Sequence, residues 1–83
     1  MASKVSYKSS VEQDLKKIDR PVVRRLLTKL ERVFSTNPAA GEPLQGEFRG
    51  MFKYRIGDYR VLYVRIPDGV LVLRIRHRRE SYR

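Results

Sequence analysis

The hydrophobic positions of this 83-residue chain follow the spacing of helices through most of its first half and the spacing of strands through its second half. At the start of the chain, Val5 and Tyr7 alternate with polar residues and predict a short first strand over residues 4–8. From there to residue 36, apolar side chains recur every three or four positions, as in helices that pack on a core. Residues 37–47 are rich in proline and glycine and predict a loop.

Two helices are expected in this first half of the chain. The first begins at Ser9, because Ser9 and Ser10 are each followed three positions later by Glu or Gln, the spacing of a capping box. Its apolar residues face the core, and its polar residues, Asp14 among them, are expected to face solvent. The second helix has Pro21 as its first residue, where a missing N–H does no harm, and ends before Pro38.

After the loop, alternation with a period of two predicts a meander of three strands. The first strand includes Phe52 and ends at Gly57-Asp58, which has the form of a two-residue hairpin turn. The next strand covers residues 59–66. Pro67-Asp68-Gly69 is expected to form a three-residue turn into a last strand over residues 70–76.

The element order β-α-α-β-β-β predicts one α+β domain over residues 1–83. Both helices are expected on one face of a small, mainly antiparallel sheet. The aromatic side chains are expected to be buried on that face or near it: Phe48, Phe52, Tyr54, Tyr59 and Tyr63.

The two turns also predict which side chains meet on the outer face of the sheet. Arg55, Arg60 and Arg76 would lie side by side on three strands, next to Lys53 and Arg74. Directly opposed like charges destabilise a sheet by about 0.2–1 kcal/mol per pair. A phosphate held over the row would turn that repulsion into binding, with bidentate guanidinium contacts. The alternative is a solvated basic face without a ligand.

Net charge points to the same kind of partner. The chain carries 19 Lys and Arg against nine Asp and Glu, a net charge of +10, and residues 49–83 hold ten basic and three acidic side chains, or 10 − 3 = +7. Concentrated positive charge attracts polyanions, so a nucleic acid, an acidic protein, or both in turn are expected to bind.

Composition also narrows the chemistry and the location. There is no cysteine, the single histidine is His77, and no acidic pair is present for metal-assisted hydrolysis. A mechanism without metal or cofactor is therefore expected, and His77 is expected to be a packed residue rather than a catalyst. No apolar stretch approaches the roughly 20 residues of a membrane span, and no signal peptide is indicated. We expect a cytoplasmic protein that does not bind membranes.

Several motifs resemble the RelE/ParE toxin superfamily, over nearly the whole chain. The most specific segment runs from Tyr54 to Tyr63, around Gly57-Asp58-Tyr59-Arg60. Four further motifs agree with it: Asp14-Leu15-Lys16-Lys17-Ile18, Asn37-Pro38 through Gly41, Leu44-x-Gly46, and His77-Arg78 with Tyr82-Arg83.

Similarity to the RelE-type members implies a toxin of a type II toxin–antitoxin system. Such toxins are ribosome-dependent endoribonucleases that cleave mRNA in the A site without a metal, by attack of the 2′-hydroxyl on the adjacent phosphate. The implied partners are an acidic RelB-like antitoxin, mRNA, and the ribosome with its 16S rRNA. DNA would be bound only through the antitoxin complex.

The resemblance also implies residue roles. Lys53 would activate the 2′-hydroxyl, Arg60 would stabilise the charged phosphorane, and Tyr82 would stack on the mRNA base. Arg78 best matches the general acid, and Arg76 takes that place if the tail is aligned without a gap. The remaining arginines of the outer face are expected to bind substrate phosphate: Arg55, Arg74 and Arg76.

A ParE-like inhibitor that binds DNA gyrase and cleaves nothing is the alternative, because the fold is shared. A nuclease requires Lys53, Arg60, Arg78 and Tyr82, whereas a gyrase inhibitor does not. The complete set favours the nuclease. A basic RNA-binding module without activity is a third possibility.

Overall fold

The computed structural model of the chain describes residues 3–79. In chain order the elements are β1 (Lys4–Tyr7), α1 (Ser9–Leu15), α2 (Arg20–Thr36), β2 (Glu42–Pro43), a 3₁₀ turn (Gly46–Phe48), β3 (Met51–Ile56), β4 (Tyr59–Ile66) and β5 (Gly69–His77). The sheet has the spatial order β1-β5-β4-β3-β2, in which β1 runs parallel to β5 and the other neighbours are antiparallel. The predicted α+β class, with two helices against a mainly antiparallel sheet, is confirmed.

The longer helix, α2, forms most of the layer that covers the sheet. Pro21 lies in its first turn, and its last residue precedes Asn37, as expected from the proline that follows. Leu26, Leu30 and Phe34 recur every fourth residue and are all buried, so one stripe of the helix forms the core.

An aromatic cluster joins α2 to the sheet. The ring of Phe34 lies 4.5 Å from that of Tyr63 on β4 and 5.4 Å from that of Tyr54 on β3. Phe52 stacks on the other side of Tyr63, with ring centroids 5.4 Å apart. Such aromatic pairs contribute about 0.5–1.5 kcal/mol beyond the apolar area that they bury.

The register of β4 and β5 combines two departures from the prediction. Ile66 pairs with Gly69, so the turn has two residues and the expected three-residue turn was wrong. A bulge then leaves Leu73 without a partner between Tyr63↔Val72 and Leu62↔Arg74. The missing turn residue and the extra bulge residue cancel, so the pairing beyond the bulge is the predicted one. Before the bulge, the side chains on the core face are Val70 and Val72.

The first helix, α1, holds the open edge of β5 through polar side chains. The strand β1 pairs with β5 only as far as Val72, so the following backbone groups need other partners. Ser10 Oγ donates to the carbonyl of Leu73 at 2.6 Å, and Asp14 Oδ2 accepts from the N–H of Ile75 at 3.0 Å. Ser10 and Asp14 are one helical turn apart, which places both along the strand.

Two expectations for α1 were therefore wrong. Neither serine caps the helix: the N-cap residue is Lys8, and no side chain bonds to the first turn. Asp14, expected in solvent, is 5% exposed and also accepts hydrogen bonds from Arg74 Nε at 2.9 Å and Nη2 at 2.8 Å. Both polar side chains are drawn to β5 because its edge offers a carbonyl and an N–H that β1 does not reach.

We expect Asp14→Ala to lower the free energy of unfolding by about 2–3 kcal/mol, because it leaves the buried N–H of Ile75 without an acceptor and removes the ion pair with Arg74. Urea denaturation followed by circular dichroism measures this. Glu12→Ala, at an exposed position of the same helix, is the control and should change stability by less than about 0.5 kcal/mol. Equal effects of the two substitutions would contradict the role of Asp14.

The same carboxylate predicts a pH dependence. Burial alone would raise the pKa of Asp14, but the hydrogen bonds from Arg74 and Ile75, together with the positive charges of Arg74 and Arg76, outweigh burial and hold it below the ordinary value of 3.8. A lowered pKa stabilises the folded state above the ordinary value, and this contribution is lost as the pH falls through the folded value. We expect the stability difference between the wild type and Asp14→Asn to be constant near neutral pH and to shrink below pH 3.8. Urea unfolding at successive pH values tests this; a difference that persists in acid would contradict it.

Candidate functional site

The outer face of the sheet carries a row of three arginines on neighbouring strands. Arg55 pairs with Arg60 across β3 and β4, and Arg60 pairs with Arg76 across β4 and β5. The predicted juxtaposition is therefore confirmed. Arg55 and Arg60 are exposed, whereas Arg76 is half-buried. The row concentrates positive charge on the face away from α2, where a phosphate would meet several guanidinium donors.

Lys53 lies two residue pairs along the strands from this row, on the same face and opposite Leu62. Its Nζ is 3.9 Å from Oε2 of Glu42, which β2 places beside it by pairing with β3. Both side chains are exposed, so the ion pair contributes little to stability. Sequence reasoning missed Glu42, because β2 has two residues and lies within the segment expected to be a loop.

Arg74 has a partner that the sequence did not reveal. It belongs to the predicted phosphate-binding set, but its guanidinium forms a bidentate ion pair with Asp14. The side chain is 35% exposed, so part of it still reaches the outer face. Phosphate binding by Arg74 stays a prediction, while its contact with α1 shows a structural role.

Arg78, the expected general acid, lies just past the end of β5, beside the turn between β3 and β4. Its Nε is 3.5 Å from Oδ1 of Asp58, and its backbone N–H donates to the Asp58 carbonyl at 2.6 Å. The turn thus anchors the backbone of the tail, while the guanidinium itself is exposed. Arg76, the alternative for the same role, is the residue directly opposite Arg60.

His77 and Tyr82 are the remaining candidate residues near the C-terminus. His77 packs edge-on against Tyr59, with ring centroids 5.2 Å apart, and its Nδ1 accepts from the N–H of Arg79 at 3.2 Å. Tyr82, expected to stack on the mRNA base, lies outside the described residues.

A cavity of about 460 Å³ opens on the outer face beside Lys53 and the arginine row. Phe48 lines it and is 46% exposed, so its expected place in the core was wrong. Gly46, the first residue of the 3₁₀ turn, and Gly50, two residues after the turn, have φ values of 68° and 93°, which glycine adopts readily. The signal in the sequence was an aromatic residue inside a glycine-rich loop. The lining includes Leu44, Phe48, Lys53, Arg55, Arg60 and Leu62.

Two further properties concern the part of the chain that the structure describes. Within residues 3–79, no group of three His, Cys, Asp or Glu side chains comes together as a possible set of metal ligands. Neither α1 nor α2 has the length and apolarity that a membrane-spanning helix requires.

A comparison with protein families agrees with the resemblance seen in the sequence. Residues 5–82 match the family described as the ParE toxin of type II toxin–antitoxin systems, parDE. The match spans nearly the whole chain. The protein therefore belongs to this family, within the RelE/ParE toxin superfamily, and is a type II toxin.

Solved structures of RelE-type complexes share the fold. A chain of the RelBE2 toxin–antitoxin complex from Mycobacterium tuberculosis is 28% identical, with a TM-score of 0.86, and the alignment covers 96% of this chain and 95% of that one. The RelE–RelB complex from Pyrococcus horikoshii is 21% identical, with a TM-score of 0.71 and coverage of 98% and 100%. A mutant of E. coli RelE bound to a RelB peptide is 22% identical, with a TM-score of 0.69 and coverage of 90% and 82%. No curated protein matches the chain.

Removing the charge of Arg74, which pairs with a buried carboxylate, should affect stability more than removing the charge of Arg55, which is exposed. We expect Arg74→Gln to lower the free energy of unfolding by about 3 kcal/mol, because it leaves the buried Asp14 carboxylate without its ion pair. Arg55→Gln is the matched control: its Nε donates only to the exposed carbonyl of Gly57, so the change should stay within about 1 kcal/mol. Urea midpoints compare the two, and a larger effect at Arg55 would contradict this assignment.

Proposed function

We propose that this toxin is a ribosome-dependent endoribonuclease that cleaves mRNA in the A site and is neutralised by a cognate antitoxin. The observation that carries the proposal is the position of Arg60. It lies between Arg55 and Arg76 in the sheet and shares a cavity with Lys53, so four cationic side chains surround one region of the outer face.

The chemistry that suits these side chains is transesterification without a metal. The 2′-oxygen forms a bond to the adjacent phosphorus, the bond from phosphorus to the 5′-oxygen breaks, and the products are a cyclic phosphate and a 5′-hydroxyl. Lys53, in its neutral amine form, takes the proton of the 2′-hydroxyl, and Arg60 holds the extra negative charge of the phosphorane. Preorganised donors of this kind stabilise a transition state more than the ground state.

The leaving 5′-oxygen requires a proton from the end of β5. Arg76 lies directly opposite Arg60, and Arg78 follows two residues later with its backbone anchored to Asp58. The exposed pair between Arg78 and Asp58 is weak enough for a substrate phosphate to replace the carboxylate. Arg78 remains our assignment for the general acid, with Arg76 as the alternative, and Tyr82 as the base-stacking residue.

The proposed partners follow from the charge and from the relatives. RelE-type toxins with this fold are found in complexes with RelB antitoxins. An acidic antitoxin of that kind would neutralise the basic outer face of this chain and carry any contact with DNA. The ribosome with its 16S rRNA would present the mRNA, which places the activity in the cytoplasm.

A gyrase inhibitor without nuclease activity is the second candidate, because the matching family is described by its ParE toxin. In that case the arginine row would bind a protein, and Lys53 and Arg60 would have no chemical role.

Arg60→Ala should lower the rate of mRNA cleavage by about 10²–10³-fold or more, because the negative charge of the phosphorane loses its central hydrogen-bond donor. The measurement is primer extension on an mRNA in cell-free translation, with the naked mRNA alongside. Arg65→Ala, an exposed arginine near the other end of β4, is the control and should keep full activity. A normally folded Arg60→Ala protein that still cleaves the mRNA would contradict the role assigned to Arg60.

The same assay separates the two candidates. Primer-extension stops that lie in frame with the codons and form only when ribosomes are present would establish the nuclease. If the folded wild-type protein produces no stops but inhibits supercoiling by gyrase, the second candidate replaces the first.

A further inference from the structure

Phe48 is exposed where burial was available to other aromatic residues of the chain. Phe34 and Tyr63 are fully buried, and Phe52 and Tyr54 pack against the core, whereas Phe48 is 46% exposed. Burying a phenylalanine contributes about 1.5–3 kcal/mol, so its exposure forgoes part of that stabilisation. Stability does not account for a large apolar ring at this position.

The backbone holds this ring in a defined place. Phe48 N–H donates to the Gln45 carbonyl at 3.3 Å, and Arg49 N–H donates to the Gly46 carbonyl at 3.2 Å. On the way into the turn, Leu44 N–H donates to the Met51 carbonyl at 2.8 Å. Because the turn is tied to β3 in this way, a ligand that meets the ring has little loop entropy to overcome.

The surroundings of the ring combine apolar contact with positive charge. Leu44 and Leu62 line the same cavity as Phe48, while Lys53, Arg55 and Arg60 supply its cations. Glu42 also lines it, in an exposed ion pair with Lys53 that a phosphate would have to replace. The cavity volume of about 460 Å³ lies within the range of small-ligand sites. A nucleotide has matching parts, since its base stacks on an aromatic ring and its phosphate binds guanidinium groups.

We propose that Phe48 is a stacking platform for a base of the bound nucleic acid, next to the cations that hold its phosphate. The site deepens the proposed nuclease function, on which the identity of RNA as the natural ligand rests. Phe48 lies between β2 and β3 in the chain, whereas the stacking expected of Tyr82 falls outside the described residues. An acidic protein would satisfy the cations but would not require a ring.

A single fluorophore can report on this site directly, because the chain contains no tryptophan. In Phe48→Trp, titration with a 2′-O-methyl RNA hexanucleotide should change the tryptophan emission and saturate. The methyl group blocks attack by the 2′-oxygen, so binding is measured without cleavage. This readout is independent of whether the protein is a nuclease.

Affinity variants then test the ring itself. Loss of one stacked base weakens binding by about 5- to 100-fold, so Phe48→Ala should weaken hexanucleotide binding by that factor. Phe48→Leu keeps an apolar side chain without a π-face and should bind as weakly as Phe48→Ala, whereas Phe48→Tyr should stay close to the wild type. Urea midpoints of all the variants control for the fold.

An abasic hexanucleotide completes the test. If the ring stacks on a base, the wild type and Phe48→Ala should bind the fully abasic strand with equal affinity. The proposal is overturned if Phe48→Ala binds the normal strand as well as the wild type does, if Phe48→Leu restores binding, or if the loss persists on the abasic strand. It is also overturned if Phe48→Ala weakens binding of the antitoxin but not of the hexanucleotide, because the ring would then be a contact for a protein.

These outcomes are distinguishable from failure of the proposed function. A protein that makes no cuts on ribosomes but loses base-dependent binding in Phe48→Ala would refute the nuclease and support the stacking site. If the wild type cleaves mRNA on ribosomes but Phe48→Ala binds the hexanucleotide as well as the wild type does, the nuclease is supported and the stacking site is refuted.

Discussion

The arrangement of α1 against the end of β5 depends on the hydrogen bonds that the Asp14 carboxylate accepts. The carboxylate receives three hydrogen bonds, two from Arg74 and one from the Ile75 N–H, across some sixty residues of chain. The strand β5 has no β-partner on this side beyond Val72, and its following residues include Arg76. By satisfying this edge, Asp14 keeps β5 extended and in register with β4, which places Arg76 opposite Arg60.

The two faces of the sheet have opposite demands, and the fold separates them. The inner face buries Tyr63 against Phe34 in an apolar core. The outer face aligns Arg55, Arg60 and Arg76, an arrangement that destabilises the sheet by itself. Stability supplied by the core therefore allows a cluster of like charges to persist, as is typical of functional sites.

Sequence reasoning succeeded where local patterns determine the structure. The period of α2, the alternation of β3 and the Gly57-Asp58 turn predicted the element order and the arginine row. It failed where distant residues decide: β2 exists through its pairing with β3, and the burial of Asp14 depends on the open edge of β5. The row itself was predicted partly through two cancelling errors, since a turn one residue shorter and a bulge of one residue leave the same parity.

Tyr63 connects the core to the site and explains why the position of the loop against the sheet could not be predicted. Its hydroxyl accepts from the Gly41 N–H at 2.9 Å and donates to the Pro38 carbonyl at 3.2 Å. A Cβ at Gly41 would come within 2.6 Å of that hydroxyl and of the Lys53 carbonyl, so only glycine allows this close approach. The loop that carries Glu42 and Phe48 is thus anchored by a buried tyrosine on β4. The composition of the loop indicates flexibility, yet its position beside Lys53 is set by the core.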